Sequence, residues 1–404
     1  MKFPLRPLLV VLFPLIGNSS LHLFLPVVAP LLMAAAGLEP TTYGWIAGAT
    51  GVGSIWLYMA NHGVTPTLGP LWTLRIGILI AVAGSLLLGT AWLPAMIVGA
   101  VLLGFGYSTS TPAGSQILAD HTPKGKWATV FSLRQAGVPI GGVVAGGFGG
   151  WLIAALGWHP AYLLICLTCL ILASPLLLAP SSYNTSRPLQ PFRLGALFSP
   201  SNLLRPFRAL GLAPGLVRLA MACVGFAVVQ SAFFSFFVIY LHDGLGYSLT
   251  LAGTLFATLQ FASVVGRILF GLLADRVGSR RLVLMLLAAC SCASSLMTAA
   301  LEPGLGSVTL FGAAMLAGLS VATWNGLYLA EAASLSPPDS VSEATAGTTF
   351  FVFLTYTLTP PVFGSLIVAF GYESAFVAAA LGALVSGLVL ITEPGGKKRG
   401  VLHG

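Results

Sequence analysis

The chain changes character at residues 266–281, which read Gly-Arg-Ile-Leu-Phe-Gly-Leu-Leu-Ala-Asp-Arg-Val-Gly-Ser-Arg-Arg. An apolar run ends here in a short loop that contains Asp275 and several arginines. Gly278 permits a tight turn, and this turn brings Arg280 and Arg281 back to the surface from which the chain emerged. The stretch therefore predicts two membrane helices joined by a charged loop.

The composition of the whole chain predicts an integral membrane protein. Of its 404 residues, 57% are hydrophobic and only 7% are charged, whereas soluble domains average about 45–50% and about 25%. A water-exposed surface cannot be built from such a composition. Apolar runs of about 20 residues cross a bilayer as helices, because unpaired backbone groups are costly in lipid.

The hydropathy pattern predicts an all-α membrane protein with twelve transmembrane helices in two pseudo-symmetric halves. The approximate spans are residues 8–36, 42–61, 72–92, 94–119, 127–156, 159–180, 213–241, 248–273, 281–301, 305–335, 342–369 and 373–393. We divide the chain into a six-helix half at 1–180, a cytoplasmic linker at 181–212, a second half at 213–393 and a tail at 394–404. Paired halves of this kind are typical of secondary transporters.

The positive charges are segregated along this predicted topology. All 18 lysines and arginines fall in even-numbered connections, at the termini or within spans. The charged residues of the outer loops are all acidic. Lys and Arg accumulate in cytoplasmic loops, so we expect both termini in the cytoplasm and a multi-pass protein of the bacterial inner membrane. The lipid bilayer explains the net charge of +8 without nucleic acid, and we expect a monomer.

Residues 271–281 closely resemble the signature loop of the major facilitator superfamily, whose pattern is Gly-x-Leu-Ala-Asp-Arg-x-Gly-Arg-Arg. The loop lies between predicted spans 8 and 9, where the second half of that family carries its copy. Gly271 would allow close helix approach. The resemblance implies a gating motif, a latch for the inner helix ends in the outward-facing state, made of Gly271, Asp275, Arg276, Gly278 and Arg280. Alternatively, these arginines only set the topology.

The first half departs from the family pattern. Its matching stretch, residues 61–70, has no Asp and no basic run, so we expect a weakened latch there. In helix 5, residues 137–142 (Gly-Val-Pro-Ile-Gly-Gly) match a drug-antiporter motif imperfectly, and the longer segment 132–142 resembles the cyanate permease branch. Arg267 resembles the helix 8 arginine of monocarboxylate and oxalate transporters.

Two arginines lie within predicted helices. Arg134 follows Lys126 by eight residues and Arg267 precedes Asp275 by eight, which places each about 12 Å into the membrane. Such a charge costs about 2.5–3.5 kcal/mol without a partner. No carboxylate occurs at that depth in the sequence, so we expect an anionic substrate to be the partner. The alternatives are hydrogen bonds to backbone carbonyls for Arg134, and snorkelling or support of the charged loop for Arg267.

Other polar side chains at similar depth predict a small polar cavity. His22 could carry a coupling proton, because imidazole titrates near neutral pH, or it could be a neutral hydrogen-bond partner between helices. Any of the remaining groups could equally join helices. The predicted substrate-binding residues are Arg134, Arg267, Gln135, His22, Tyr58, Tyr107, Gln230, Asn325 and Tyr328.

Together these features predict a secondary active transporter that moves a small, monocarboxylate-like organic anion by alternating access, with a proton or another ion as coupling partner. The sequence has no Gly-x-x-x-x-Gly-Lys-Ser/Thr loop for ATP. No nucleophile lies beside a plausible base and no metal-ligand cluster occurs, so we expect neither an enzyme nor a cofactor. Two alternatives remain open, a drug or metabolite exporter of the same fold and a non-transporting membrane sensor.

Overall fold

The structure is a computed structural model that describes residues 4–123, 127–184, 207–208, 210–211, 213–336 and 341–391. Most of the predicted 181–212 linker and the whole 394–404 tail therefore lie outside the described residues. The same holds for the basic residues Lys2, Lys124, Lys126, Arg187, Arg193, Arg205, Lys397, Lys398 and Arg399.

The first half contains six membrane-spanning helical elements, two of them interrupted. They are α1 (Leu5–Ala36), α2 (Pro40–Leu68), α3 (Pro70–Leu88), α4 (Leu93–Ser108 and Ser110–His121), α5 (Trp127–Gln135, Gly137–Val143, a π-helical turn Val144–Gly149, and Gly150–Leu156) and α6 (Trp158–Leu172). Two 3-10 turns, Ser174–Leu176 and Ser181–Tyr183, follow α6.

The second half repeats this order. It comprises α7 (Pro214–Ile239, extended by a π-helical turn Tyr240–Gly244), α8 (Leu249–Val277), α9 (Arg280–Ala299), α10 (Ser307–Val321 and Trp324–Leu335), and the continuous stretch Val341–Ile391, which holds α11 and α12. Gly371, at φ 82°, separates α11 from α12 in a left-handed conformation that favours glycine.

The prediction of twelve crossings is confirmed. Ten stretches of the described chain are long and apolar enough to cross a membrane, and the last of them, Gly347–Ile391, contains two crossings. The glycine-rich α2 supplies the twelfth. The observed bounds differ from the predicted spans by up to eight residues, as at the end of α6, because side-chain hydropathy does not fix where the helical backbone ends.

The predicted spans 94–119, 127–156 and 305–335 are not continuous α-helices. In 127–156, Ala136 and the π-helical turn Val144–Gly149 interrupt α5. α4 is interrupted at Thr109, and α10 is interrupted at Ala322 and Thr323. Pro112 explains the first interruption, because it has no N–H to donate to the carbonyl of Ser108 four residues earlier. No proline lies at the α10 interruption, where the carbonyl of Ala322 accepts a hydrogen bond from Arg267 of α8.

In each half, an arginine of the third helix donates a hydrogen bond to a carbonyl at the end of the sixth helix. Arg75 of α3 donates to the carbonyl of Leu176, just beyond α6, at 2.7 Å. Arg281 of α9 donates to the carbonyl of Leu390, near the end of α12, at 2.7 Å. These helix ends leave carbonyls unpaired, so each arginine satisfies an orphan acceptor. The paired arrangement is direct structural support for the internal repeat.

The two halves meet where α2 packs on α11 and α5 packs on α8. Gly48 of α2 lies against the carbonyl of Thr357 on α11, and a Cβ at Gly146 of α5 would lie 2.6 Å from the carbonyl of Gly253 on α8. Only glycine allows backbones to approach so closely. These contacts lie far from the ends that carry the linker. We therefore call this end of the bundle the closed end, and the other the linker end.

Aromatic rings from both halves fill the closed end. Tyr43 of α2 meets Phe236 of α7 edge-on, with ring centroids 5.5 Å apart. Phe236 contacts Phe363 of α11 at 5.3 Å, and Phe363 contacts Phe376 of α12 at 5.3 Å. We call these four residues the aromatic plug. Together with the glycine contacts, the plug joins the halves at the closed end.

Candidate functional site

Arg134 of α5 is almost completely buried, and its guanidinium group points to the interruption in α4. Its Nη2 donates to the carbonyl of Ser110 at 2.6 Å, and its Nη1 donates to Ser115 Oγ at 3.3 Å. The backbone-carbonyl alternative from the sequence is therefore present. Nε is also buried, and it has no partner within the described part of the chain. One charged donor of Arg134 thus remains unused.

Asn18 of α1 holds the same interruption from the other side. Its Nδ2 donates to the carbonyl of Gly106 at 3.2 Å and to Ser110 Oγ at 3.0 Å. Asn18 is fully buried, with 0% of its surface exposed. The sequence interpretation did not include Asn18 in the site, although an amide in the middle of an apolar helix was a signal for such a role.

Arg267 of α8 makes a similar arrangement in the second half. Its Nη2 donates to the carbonyl of Ala322 at 3.2 Å, at the interruption of α10. Its Nε, like that of Arg134, is buried and without a partner among the described residues. This hydrogen bond is directed to the interior of the bundle. Each half therefore presents one arginine that is anchored to a broken helix and retains one unused buried donor.

Tyr107 of α4 lies near both arginines. It is close enough to interact electrostatically with the guanidinium groups of both Arg134 and Arg267. Its ring also stacks on the imidazole of His22, with centroids 4.5 Å apart and an interplanar angle of 14°. Tyr58 of α2 lies within electrostatic range of Arg134 as well. Four predicted site residues of the first half are thus grouped together.

A polar cluster on α7, α10 and α11 lines the second half. Gln230 Oε1 accepts hydrogen bonds from the hydroxyl of Tyr356 at 2.9 Å and from Asn325 Nδ2 at 3.2 Å. Tyr356 is in turn within electrostatic range of Arg267. The predicted residues Gln230 and Asn325 are therefore brought together beside the second arginine.

Two predicted site residues remain, Tyr328 and Gln135. The hydroxyl of Tyr328 donates to Thr348 Oγ1 at 2.6 Å and is buried between α10 and α11. Its polar group therefore joins two helices of the same half. Gln135 is the last residue of the segment Trp127–Gln135 and is half-buried.

Acidic side chains that the structure describes lie away from both arginines. They occupy helix ends and connecting loops, and they are Glu39, Asp120, Asp243, Asp275, Glu302, Glu331 and Glu373. Buried guanidinium groups without acidic partners are costly in an apolar interior. The site therefore has a net positive charge together with unused hydrogen-bond donors, which is the chemistry that binds an anion.

The loop between α8 and α9 forms the predicted tight turn but contacts its own half. Gly278 ends α8 at φ 66°, and Arg280 Nη1 lies 3.5 Å from Glu331 Oε2 on α10. Asp275 and Arg276 are exposed. The close helix approach expected at Gly271 is absent, because a Cβ there would meet no atom within 4 Å. Among the described residues, the ion pair of this loop thus stays within the second half.

Comparison with known proteins places the chain in a family. A family model described as the Major Facilitator Superfamily matches residues 8–346. A bacterial homologue of the human lysosomal transporter Spinster, inward-facing and unoccupied, has a TM-score of 0.76 at 16% identity, covering 96% of this chain and 97% of that chain. The nucleoside transporter NupG has a TM-score of 0.72 at 15% identity, covering 96% and 98%. At these identities the similarity shows the fold.

Proposed function

This chain belongs to the major facilitator superfamily, and we propose that it is a secondary active transporter of a small, monocarboxylate-like organic anion. The apolar helices of its described residues make it an integral, multi-pass membrane protein. The two six-helix halves would move the substrate by alternating access, rocking about the site between them.

The arginine pair carries the proposal. Arg134 and Arg267 come from opposite halves, and each retains a buried Nε–H that no described residue accepts. Guanidinium groups bind carboxylates through planar, charge-assisted hydrogen bonds. An anion between the halves would accept these hydrogen bonds and compensate two buried charges at once.

The polar groups beside the arginines favour a small substrate over a bulky apolar one. Tyr107, Gln230, Asn325 and Tyr356 offer hydroxyl and amide groups on both sides of the site. The rival reading, a drug exporter for cationic compounds, would need acidic groups, and those described lie at helix ends and in loops. A non-transporting sensor would bind the anion without moving it.

The charge distribution supports an inner-membrane protein with its linker end in the cytoplasm, because the Lys and Arg residues collect at that end. With this orientation, the contacts at the closed end correspond to an inward-facing transporter. We propose a monomer whose driving force is a proton or another ion moving down its gradient.

The test is a ligand screen followed by matched arginine variants. The purified protein is heated with acetate, L-lactate, oxalate, cyanate and nitrate, and with amphipathic cations as the opposing class, because a bound ligand raises the melting temperature. We call the anion with the largest effect the probe anion. Its uptake into proteoliposomes then separates a transporter from a sensor.

Arg134→Gln and Arg267→Gln should each weaken binding of the probe anion at least tenfold, or about 1.4 kcal/mol. The corresponding Lys variants should lose less, because Lys keeps the charge but not the planar donor pair. Arg218→Gln is the control, since Arg218 is exposed on α7. Parental affinity in both Gln variants, or a response to cations alone, would favour the exporter.

A further inference from the structure

A cavity lies beyond the arginines, toward the closed end. Its volume is about 60 Å³, and residues of α1, α2 and α7 line it. The polar members of the lining are His22, Tyr43, Thr50 and Ser235. Because α1 and α2 belong to the first half and α7 to the second, the cavity lies between the two halves.

The position of this cavity follows from α1. Asn18 is level with Ser110, the residue to which Arg134 is bound. His22 lies four residues further along α1, about 6 Å nearer the closed end. Tyr43, which lines the cavity, is also part of the aromatic plug. The cavity therefore lies between the arginine site and the plug, beside the stacked rings of His22 and Tyr107.

Several polar atoms at this cavity lack a protein partner. His22 Nδ1 and the Tyr43 hydroxyl are buried and unpaired within the described ranges. In addition, Pro26 has no N–H to donate to the carbonyl of His22 four residues earlier. Buried polar groups are nearly always hydrogen-bonded, and a cavity of this size has room for a few water molecules. The cavity thus combines unpaired polar groups in its lining with a space large enough for water.

We propose that this cavity is a water-filled proton site in which His22 takes up the coupling proton, so that the protein is a proton–anion symporter. The inference rests on the proposed function. The proton joins neutral imidazole nitrogen and makes His22 cationic. Two titratable groups are placed next to His22: Tyr107 of α4, whose ring stacks on the imidazole, and Tyr43 of α2, which lines the same cavity. Tyr107 in turn lies within electrostatic range of Arg134 of α5 and Arg267 of α8.

Charge provides the coupling between the proton and the anion. The ring of Tyr107 stacks on His22 and lies within electrostatic range of both arginines, so a proton on His22 would add a third positive charge to a group that has no described acidic member. The empty site therefore disfavours the proton, and a bound anion favours it. By linkage, the proton must raise the affinity for the anion by the same factor. Both ligands would thus enter and leave together.

The experiment counts the protons taken up when the probe anion binds. Calorimetric titrations in two buffers of different ionisation enthalpy give this number directly. We expect close to one proton per anion for the parent, and an affinity that rises several-fold as the pH falls. His22→Gln should take up almost none and should bind with a flat pH profile. His121→Gln is the control, because His121 lies at the linker end of α4.

Tyr43→Phe gives a second variant in case His22→Gln does not fold. It keeps the ring in the plug, removes an unpaired hydroxyl, and should at least halve proton uptake while leaving the anion site in place. Equal proton uptake in His22→Gln and the parent, or none in the parent, would overturn the inference while the arginine dependence still stands. Parental binding by both Arg→Gln variants would instead refute the proposed function, and the inference with it.

Discussion

Asn18 donates a hydrogen bond to Ser110 Oγ at 3.0 Å, and the carbonyl of the same Ser110 accepts one from Arg134 at 2.6 Å. A single residue at the break in α4 is thus held by α1 through its side chain and by α5 through its backbone. Hydrogen bonds from two neighbouring helices therefore hold the interruption in α4 in place. The direction of the Arg134 guanidinium group depends on it.

Asn18→Ala should therefore weaken binding of the probe anion, although the Asn18 side chain is uncharged. The variant loses the hydrogen bonds to Gly106 and Ser110, each worth about 0.5–1.5 kcal/mol, and Arg134 loses a fixed acceptor. We expect a three- to tenfold loss of affinity and a lower melting temperature. Ser20→Ala is the control, because the Ser20 hydroxyl bonds only within α1, to the carbonyl of Gly17. Equal affinities in the two variants would argue against a positioning role.

Gly48→Val should open the closed end. A Cβ at Gly48 would collide with the Thr357 carbonyl and come within 3.2 Å of Pro361 Cδ on α11, so valine must push α2 and α11 apart. Spin labels on α2 and α11 should then report a longer distance at the closed end. Gly312→Val is a matched control in α10, where a Cβ would meet nothing within 4 Å. An unchanged distance in Gly48→Val would show that the halves do not separate along this seam.

Asp275→Asn should depress transport without affecting the fold or the anion site. Asp275 is exposed in the present conformation, so the substitution costs little stability here. If the loop latches the other conformation, that state alone loses a partner, and proteoliposome uptake should fall several-fold while probe-anion affinity in detergent is retained. If Asp275→Asn takes up the probe anion as fast as the parent protein, the charges of the loop serve only to set the topology.

Cysteine labelling should place the linker end in the cytoplasm. Cysteines at Lys124, Asn202 and Lys397 should react only with reagents that reach the cytoplasm, and one at Glu302 should react from outside. The native cysteines are buried or half-buried and can be replaced by serine or alanine beforehand. Labelling of Asn202→Cys from the exterior would invert the topology and make this conformation outward-facing.

The sequence predicted the helices well because hydropathy and chain length determine membrane crossings. It also predicted that Arg134 and Arg267 lie within helices rather than loops, since their distance from the charged loops follows from counting residues. The break in α4 could have been anticipated from Pro112. The break in α10 could not, because Ala322 and Thr323 carry no helix-breaking signal.

The loop at Asp275 shows a different limit of the sequence. Its motif predicted a latch with a close contact at Gly271, whereas the structure places Gly271 in open space and pairs Arg280 with Glu331 of the same half. A sequence is common to every conformation of a transporter. A contact made in only one of them therefore cannot be read as present in another.

The hydrogen bonds of both arginines to broken helices within their own halves have an electrical consequence. Each half carries its buried positive charge with it when it moves, and an anion cancels part of this charge only while it is bound. A charge that crosses the full membrane field changes in energy by about 2.3 kcal/mol per 100 mV. A proton on His22 would restore the charge that a monocarboxylate cancels, so the empty and loaded carriers should respond alike to membrane potential, and net uptake should follow the pH gradient rather than voltage.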